Sequence, residues 1–138
     1  MNKYLLETST FSLLMEENPR VKGRLDSLAE LDYPFTCPIV RGEILFGIVR
    51  LPAGKRRQDL EQKANEIFAE IPCDPMPEDV GDTYAQLKVA AQHQGTPLDE
   101  CDLWIAATAL ALDAILVSSD SDFQRIVGLG LRLENWEN

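Results

Sequence analysis

Ile115-Leu116-Val117-Ser118-Ser119-Asp120-Ser121-Asp122 is the stretch whose reading decides the fold. Consecutive aliphatic residues without polar alternation describe a strand buried on both faces, as in a parallel sheet covered by helices. Serines and acids then stop the run, and Asp120 to Val127 reads as a short helix that Asp120 or Asp122 would cap. The start of the chain has the same grammar. Tyr4-Leu5-Leu6 is an apolar strand stopped by Glu7-Thr8-Ser9-Thr10, which caps a helix carrying Phe11, Leu13, Leu14 and Met15. Because both strands are apolar throughout, they are expected at the centre of the sheet.

The rest of the chain alternates in the same way. Asn18-Pro19 punctuates, and Val21, Leu25, Leu28 and Leu31 follow at helical spacing. Phe35-Thr36-Cys37-Pro38 reads as a second strand and Ile39 to Val49 as a helix, broken by Pro52-Ala53-Gly54. Leu60, Ala64, Ile67, Phe68 and Ile71 mark an amphipathic helix, and another spans about Glu78 to Gln94. Asp99 caps a helix ending near Leu112, and Leu131-Arg132-Leu133 is the last strand. Strands alternating with helices define an α/β fold with a parallel sheet covered on both faces.

A chain of 138 residues is expected to form a single domain, residues 1–138, with a core that needs no disulfide or structural metal. Hydrophobic residues at 45% and charged residues at 26% exclude a disordered chain. No apolar run reaches the roughly 20 residues of a membrane span. Glu7 comes too early for a signal-peptide core, so a soluble cytoplasmic protein is expected. The net charge of −10 argues against generic, charge-driven binding to nucleic acid. It accommodates a basic protein partner or a local acidic site that holds a cation. Cys37, Cys73 and Cys101 form no CxxC pair and read as buried reduced thiols. His93 is the only histidine, which leaves little material for histidine-based metal or triad chemistry.

Several acids stand where the fold does not want them. Glu43 has Ile39, Val40, Phe46 and Gly47 as its helical neighbours, within an apolar face. An ionised acid buried there costs several kcal/mol without compensation. The plainer reading places it at the edge of the stripe, or pairs it with Arg41 or Arg50. Asp102 has Ile105, Ala106 and Ala109 on its side of the helix, though a first-turn acid is also favoured by the helix dipole. Asp99 reads mainly as a cap. Glu7 and Asp120 follow the carboxyl ends of strands, where open parallel sheets bind ligands. Carboxylates gathered in one crevice raise each other's pKa, and a divalent cation relieves the conflict. All-oxygen ligation selects Mg²⁺ or Mn²⁺, the ions that assist phosphodiester hydrolysis.

Taken together, these segments resemble the PIN-domain ribonucleases, in particular the VapC-type toxins of prokaryotic toxin–antitoxin pairs. The matching stretches are Tyr4 to Ser9, Ile39-Val40-Arg41-Gly42-Glu43-Ile44, Pro97 to Ala109, Leu116 to Phe123 and Leu133-Glu134-Asn135-Trp136. The resemblance implies a PIN-like three-layer α/β/α domain with a short parallel sheet of four to five strands. It implies Mg²⁺- or Mn²⁺-dependent endonucleolytic cleavage of RNA, often tRNA or rRNA. Metal-site acids would be Glu7, Glu43, Asp102 and Asp120, with Asp122 beside them as a further catalytic acid. Homodimerisation and silencing by a basic VapB-type antitoxin are implied as well. The family's first acid is normally Asp, followed by Thr and Asn, whereas this chain has Glu7 and, in the Asn position, Ser9. An extra methylene moves the carboxylate by over about 1 Å against tolerances of about 0.5 Å, so reduced activity, or an inactive domain that only binds antitoxin or RNA, is the alternative. The usual Thr before the fourth acid is Ser118, which keeps the hydroxyl.

The segment Gly47 to Arg57 is the concentrated basic patch of an acidic chain, and it too resembles a subgroup of these toxins. Arg50, Lys55 and Arg56 are the candidates for RNA-backbone contact. Surface pairing with Asp59 and Glu61 is the plainer reading. Trp104 reads as core or dimer packing. A phosphoacceptor receiver domain is the remaining small acidic α/β candidate, but it wants an acidic pair after the first strand and a Lys after the last. Thr8-Ser9-Thr10 and Leu131 to Asn138 supply neither.

Overall fold

The computed structural model describes residues 1–138. Strand β1 (Lys3–Leu6) leads into α1 (Thr8–Met15) and α2 (Pro19–Asp26), then β2 (Tyr33–Phe35). Helices α3 (Pro38–Val49), α4 (Lys55–Glu70), α5 (Asp79–Gln94) and α6 (Glu100–Ala111) precede β3 (Ile115–Val117). A 3₁₀ helix, Ser121–Leu129, leads to β4 (Leu133–Glu134). The strands form one parallel sheet in the order β2-β1-β3-β4, so the two wholly apolar strands are its centre. Leu5 pairs with Leu116 and Leu6 with Val117, which brings the carboxyl ends of β1 and β3 side by side.

Alternation along the strands sorts the core into two layers. Leu5, Leu116 and Phe35 face a large apolar cluster with Val40, Ile44, Leu103 and Ala106. Tyr4, Leu6, Ile115 and Val117 face a smaller one with Val21, Ile71 and Trp136. Helices therefore cover both faces of the sheet, as the apolar strands require. In α6 the buried run Ala106, Ala107 and Ala109 lets α5 approach closely, and Tyr84 of α5 stacks on Trp104 at 3.8 Å. Trp104 is thus packing within the chain.

Local signals place most of the boundaries. Asn18 accepts from the Arg20 and Val21 amides with Pro19 at the first helical position, and Asp99 accepts from the Asp102 amide. Gly95, at φ 75°, ends α5 in the left-handed conformation.

Several expectations are corrected. The second strand ends at Phe35, because Pro38 already opens α3 and Thr36 bridges to Cys73 instead. Helix α2 stops at Asp26, and Leu31 is exposed rather than on a helical stripe. The last strand begins at Leu133; Gly130, at φ 103°, closes the 3₁₀ helix and Leu131 drops into the core. The short helix expected after β3 is present, as a 3₁₀ helix over Ser121–Leu129. Of the cysteines only Cys37 is buried, while Cys73 is half-buried and Cys101 exposed.

Candidate active site

Glu7 closes β1 and caps α1, and it is only 4% exposed. Its Oε1 accepts from the Ser9 amide at 3.1 Å, the Ser9 hydroxyl at 2.6 Å and the Ser118 hydroxyl at 2.6 Å. Burial raises the Glu7 carboxyl above its ordinary range, the serine bonds pull the other way, and the charge of Asp120 adds to the rise. Ser118 follows β3, and its Oγ accepts from the Asp120 amide at 2.9 Å. The Asp120 carboxylate accepts from the Asp122 amide at 2.9 Å and so caps the 3₁₀ helix. Asp122 also pairs with Arg125 at 3.3 Å.

Glu43 stands on α3, where Val40, Ile44 and Ile48 form the buried face. The expected apolar face through Phe46 is corrected: Phe46 is 70% exposed, and Glu43 is half-buried at the flank. Neither Arg41 nor Arg50 compensates it. Arg41 lies over the Phe68 ring at 4.3 Å, and the Thr8 hydroxyl donates to Glu43 Oε1 at 2.5 Å. Thr8 is the first residue of α1, so one turn holds acids from both β1 and α3.

Asp102 lies in the first turn of α6 with Ile105, Ala106 and Ala109 buried below it. Its carboxyl is pushed up to about 7, first by burial and then by the charges of Asp99, Asp120, Glu7 and Glu43. Asp99 is a cap, as expected, and is also the strongest of these charges on Asp102.

The fold brings three of the expected acids together: Asp102, Asp120 and Asp122 each offer a carboxylate oxygen, and these oxygens lie within 4.8 Å of one another. Oxygens sharing an octahedral Mg²⁺ at about 2.1 Å stand about 3 to 4.2 Å apart, so the trio would draw inward to hold such an ion. The donor set is all oxygen, the set hard divalent cations select. Glu7 and Glu43 stand outside the trio while acting on the charge of Asp102.

The basic candidates stand at helix ends. Arg50 caps the end of α3, and Lys55 and Arg56 open α4. Lys55 reaches Asp59 at 3.9 Å and Arg57 reaches Glu61 at 2.8 Å, the plainer surface pairing. The hydroxyl holders Thr8 and Ser118 are the residues that reasoning on charge alone passes over. Their signal is a hydroxyl within two residues of an acid at a strand end.

The PIN domain family model matches residues 4–129, and the chain belongs to that family. Among its relatives, Ribonuclease VapC1 of Haemophilus influenzae (strain R2866) is 29% identical over 129 residues, 91% of this chain and 93% of that protein. Toxin FitB of Neisseria gonorrhoeae (strain ATCC 700825 / FA 1090) is 34% identical over 111 residues, 76% of this chain and 78% of that one. The crystal structure of VapBC2 from Rickettsia felis, bound to a DNA fragment from their promoter, superposes with a TM-score of 0.87 at 24% identity, over 97% of this chain and 98% of that chain. That likeness establishes the three-layer PIN architecture.

Proposed function

We propose that this chain is a VapC-type toxin, a metal-dependent endoribonuclease that hydrolyses RNA phosphodiester bonds, with residues 1–138 acting as one domain. The observation that carries the reading is the carboxylate trio of Asp102, Asp120 and Asp122 beside the carboxyl ends of β1 and β3. Relatives named as VapC ribonucleases support it. Asp102, Asp120 and Asp122 would hold Mg²⁺ or Mn²⁺, with Glu43 and Glu7 completing the acidic surround. A divalent cation held there would lower the pKa of a bound water and offset charge on the scissile phosphate.

The chain's own residues do the rest. Asp102, whose carboxyl is raised to about 7 in the free protein, would hold the cation as its deprotonated carboxylate. Thr8 fixes the Glu43 carboxylate, and the capped 3₁₀ turn fixes Asp120 and Asp122, one of which orients the attacking water. Arg50, Lys55 and Arg56 contact the RNA backbone. Glu7 in place of the family's Asp leaves the trio assembled, so an inactive binding module is the weaker reading. The partner is a basic VapB-type antitoxin drawn to a chain of net charge −10, in keeping with structural relatives that are toxin–antitoxin complexes. The toxin acts as a homodimer in the cytoplasm; no helix is long and apolar enough to cross a membrane.

The test is cleavage of tRNA and rRNA by the purified chain in Mg²⁺ or Mn²⁺, with EDTA and Asp102→Ala as controls. Metal-dependent cleavage lost in both controls is the expected result. Cleavage that survives Asp102→Ala would refute the assignment.

A further inference from the structure

Glu7 is an uncommon helix cap. Short polar residues hold that position because their oxygen needs to reach back only to the second or third amide. Glu7 does this with Ser9, yet the same Oε1 also accepts from Ser118 at the end of β3, 111 residues away. Both serines are bifunctional. Ser9 Oγ donates to Glu7 at 2.6 Å and accepts from the Ser119 amide at 3.0 Å. Ser118 Oγ donates to Glu7 at 2.6 Å and accepts from the Asp120 amide at 2.9 Å. Each hydroxyl spends its single proton on Glu7 and offers a lone pair to the loop that carries Asp120. Ser118 is 2% exposed, so these partners are not exchanged for water.

The reach matters. An aspartate on the same backbone would hold its oxygens back by about one carbon–carbon bond, 1.5 Å. It would still cap the Ser9 amide, but 2.6 Å bonds would open towards about 4 Å, beyond hydrogen-bond range. The Ser118 hydroxyl would then keep only Ser9 Oγ, 3.3 Å away, as an acceptor, a longer bond to a neutral group in place of a short one to a carboxylate.

We infer that Glu7, Ser9 and Ser118 form one positioning unit, sized for glutamate, that ties the end of β1 to the loop presenting Asp120 and Asp122. Ser9 and Ser118 are positioning residues, and Glu7 is the length-matched acid they share. The longer acid and the shorter Ser9 compensate each other. Glu7→Asp alone is therefore a loss rather than a restoration. Glu7→Asp with Ser9→Asn regains the contact, because a carboxamide reaches one bond further than a hydroxyl and both donates and accepts. The role in metal binding rests on the nuclease reading above; the coupling within the unit does not.

Two measurements test it. The first is thermal unfolding in EDTA. Ser118→Ala should lower the midpoint by several degrees in the natural chain and far less in Glu7→Asp, since the bond it removes is already gone. Equal drops in both backgrounds would overturn the coupling, and with it the proposal. The second is Mn²⁺ affinity by calorimetry. Ser118→Ala and Glu7→Asp should each weaken binding about tenfold. Ser118→Thr, which keeps the hydroxyl, and the Glu7→Asp/Ser9→Asn double variant should bind within about threefold of the natural chain. Glu7→Asp binding as tightly as the natural chain would overturn the length match. Coupled unfolding in a natural chain that binds no Mn²⁺ would leave the unit standing and refute the metal-dependent nuclease.

Discussion

Removing a charge from the acidic site should make the metal-free protein more stable, and Asp102→Asn is the substitution that shows it. Asp102 is held near pKa 7 against an ordinary value of 3.8, by burial and by the neighbouring carboxylates. Because the folded value is the higher one, the folded state keeps a proton that the unfolded chain has already released. Stability therefore falls as pH rises from about 4 to about 7 and is flat beyond. At about 1.36 kcal/mol per unit, the shift sets a ceiling near 4 kcal/mol. Asp102 is half-exposed, so solvent screening takes the real penalty to about 2 kcal/mol. Losing an acid from the first turn of a helix returns about 0.5 kcal/mol to the other side. Asp102→Asn should thus gain about 1 to 1.5 kcal/mol in EDTA at about pH 8, a rise of about 3 to 6 °C in the unfolding midpoint. At about pH 5 the gain should shrink to about a third, since most of the penalty has been relieved by protonation. Mn²⁺ should raise the midpoint of the natural chain and leave the variant unmoved. A variant less stable than the natural chain at pH 8 in EDTA, or a gain independent of pH, would refute the electrostatic account of the site.

The same proton makes metal binding pH-dependent: Mn²⁺ affinity measured by titration calorimetry should climb about tenfold per unit below pH 7 and level off above it, and a flat profile would exclude Asp102 as a ligand. Thr8→Val keeps the shape of the side chain but removes the donor to Glu43, at a cost of about 1 kcal/mol; cleavage should drop several-fold while the circular dichroism spectrum holds, and unchanged cleavage would show that Glu43 needs no fixing. Association with a basic antitoxin should slow steeply between low and physiological salt, as stopped-flow fluorescence can follow, because the chain carries a net charge of −10; rates indifferent to salt would point to a purely apolar clamp.

Much of this fold is a property of short windows, and those windows are readable. Ile115–Val117 and Tyr4–Leu6 have no polar side chain to offer water, so only the middle of a covered sheet suits them, and that is where they lie. Asp99, Asn18 and Gly95 act on amides and carbonyls within a few residues, so the helix ends they set are legible in the same way. The acids at Glu7, Asp102 and Asp120 announce themselves by standing at strand ends or on a buried helix face. Which of them share an oxygen cage is not a local matter. Asp102 and Asp120 meet because α6, β3 and the 3₁₀ turn fold back on one another, and Glu43 misses the trio because its helix turns Val40, Ile44 and Ile48 inward and leaves Phe46 in solvent. Helical spacing alone gave Phe46 and Glu43 a common apolar face, since it records which residues lie together but not which side meets the sheet. The serine bonds to Glu7 lie further still from any window. Ser118 is 111 residues from Glu7, and only parallel pairing of β1 with β3 sets their ends side by side. Periodicity and capping are short-range physics written in consecutive residues; the convergence of charges and hydroxyls depends on the crossovers between strands, and these exist only once the chain has folded.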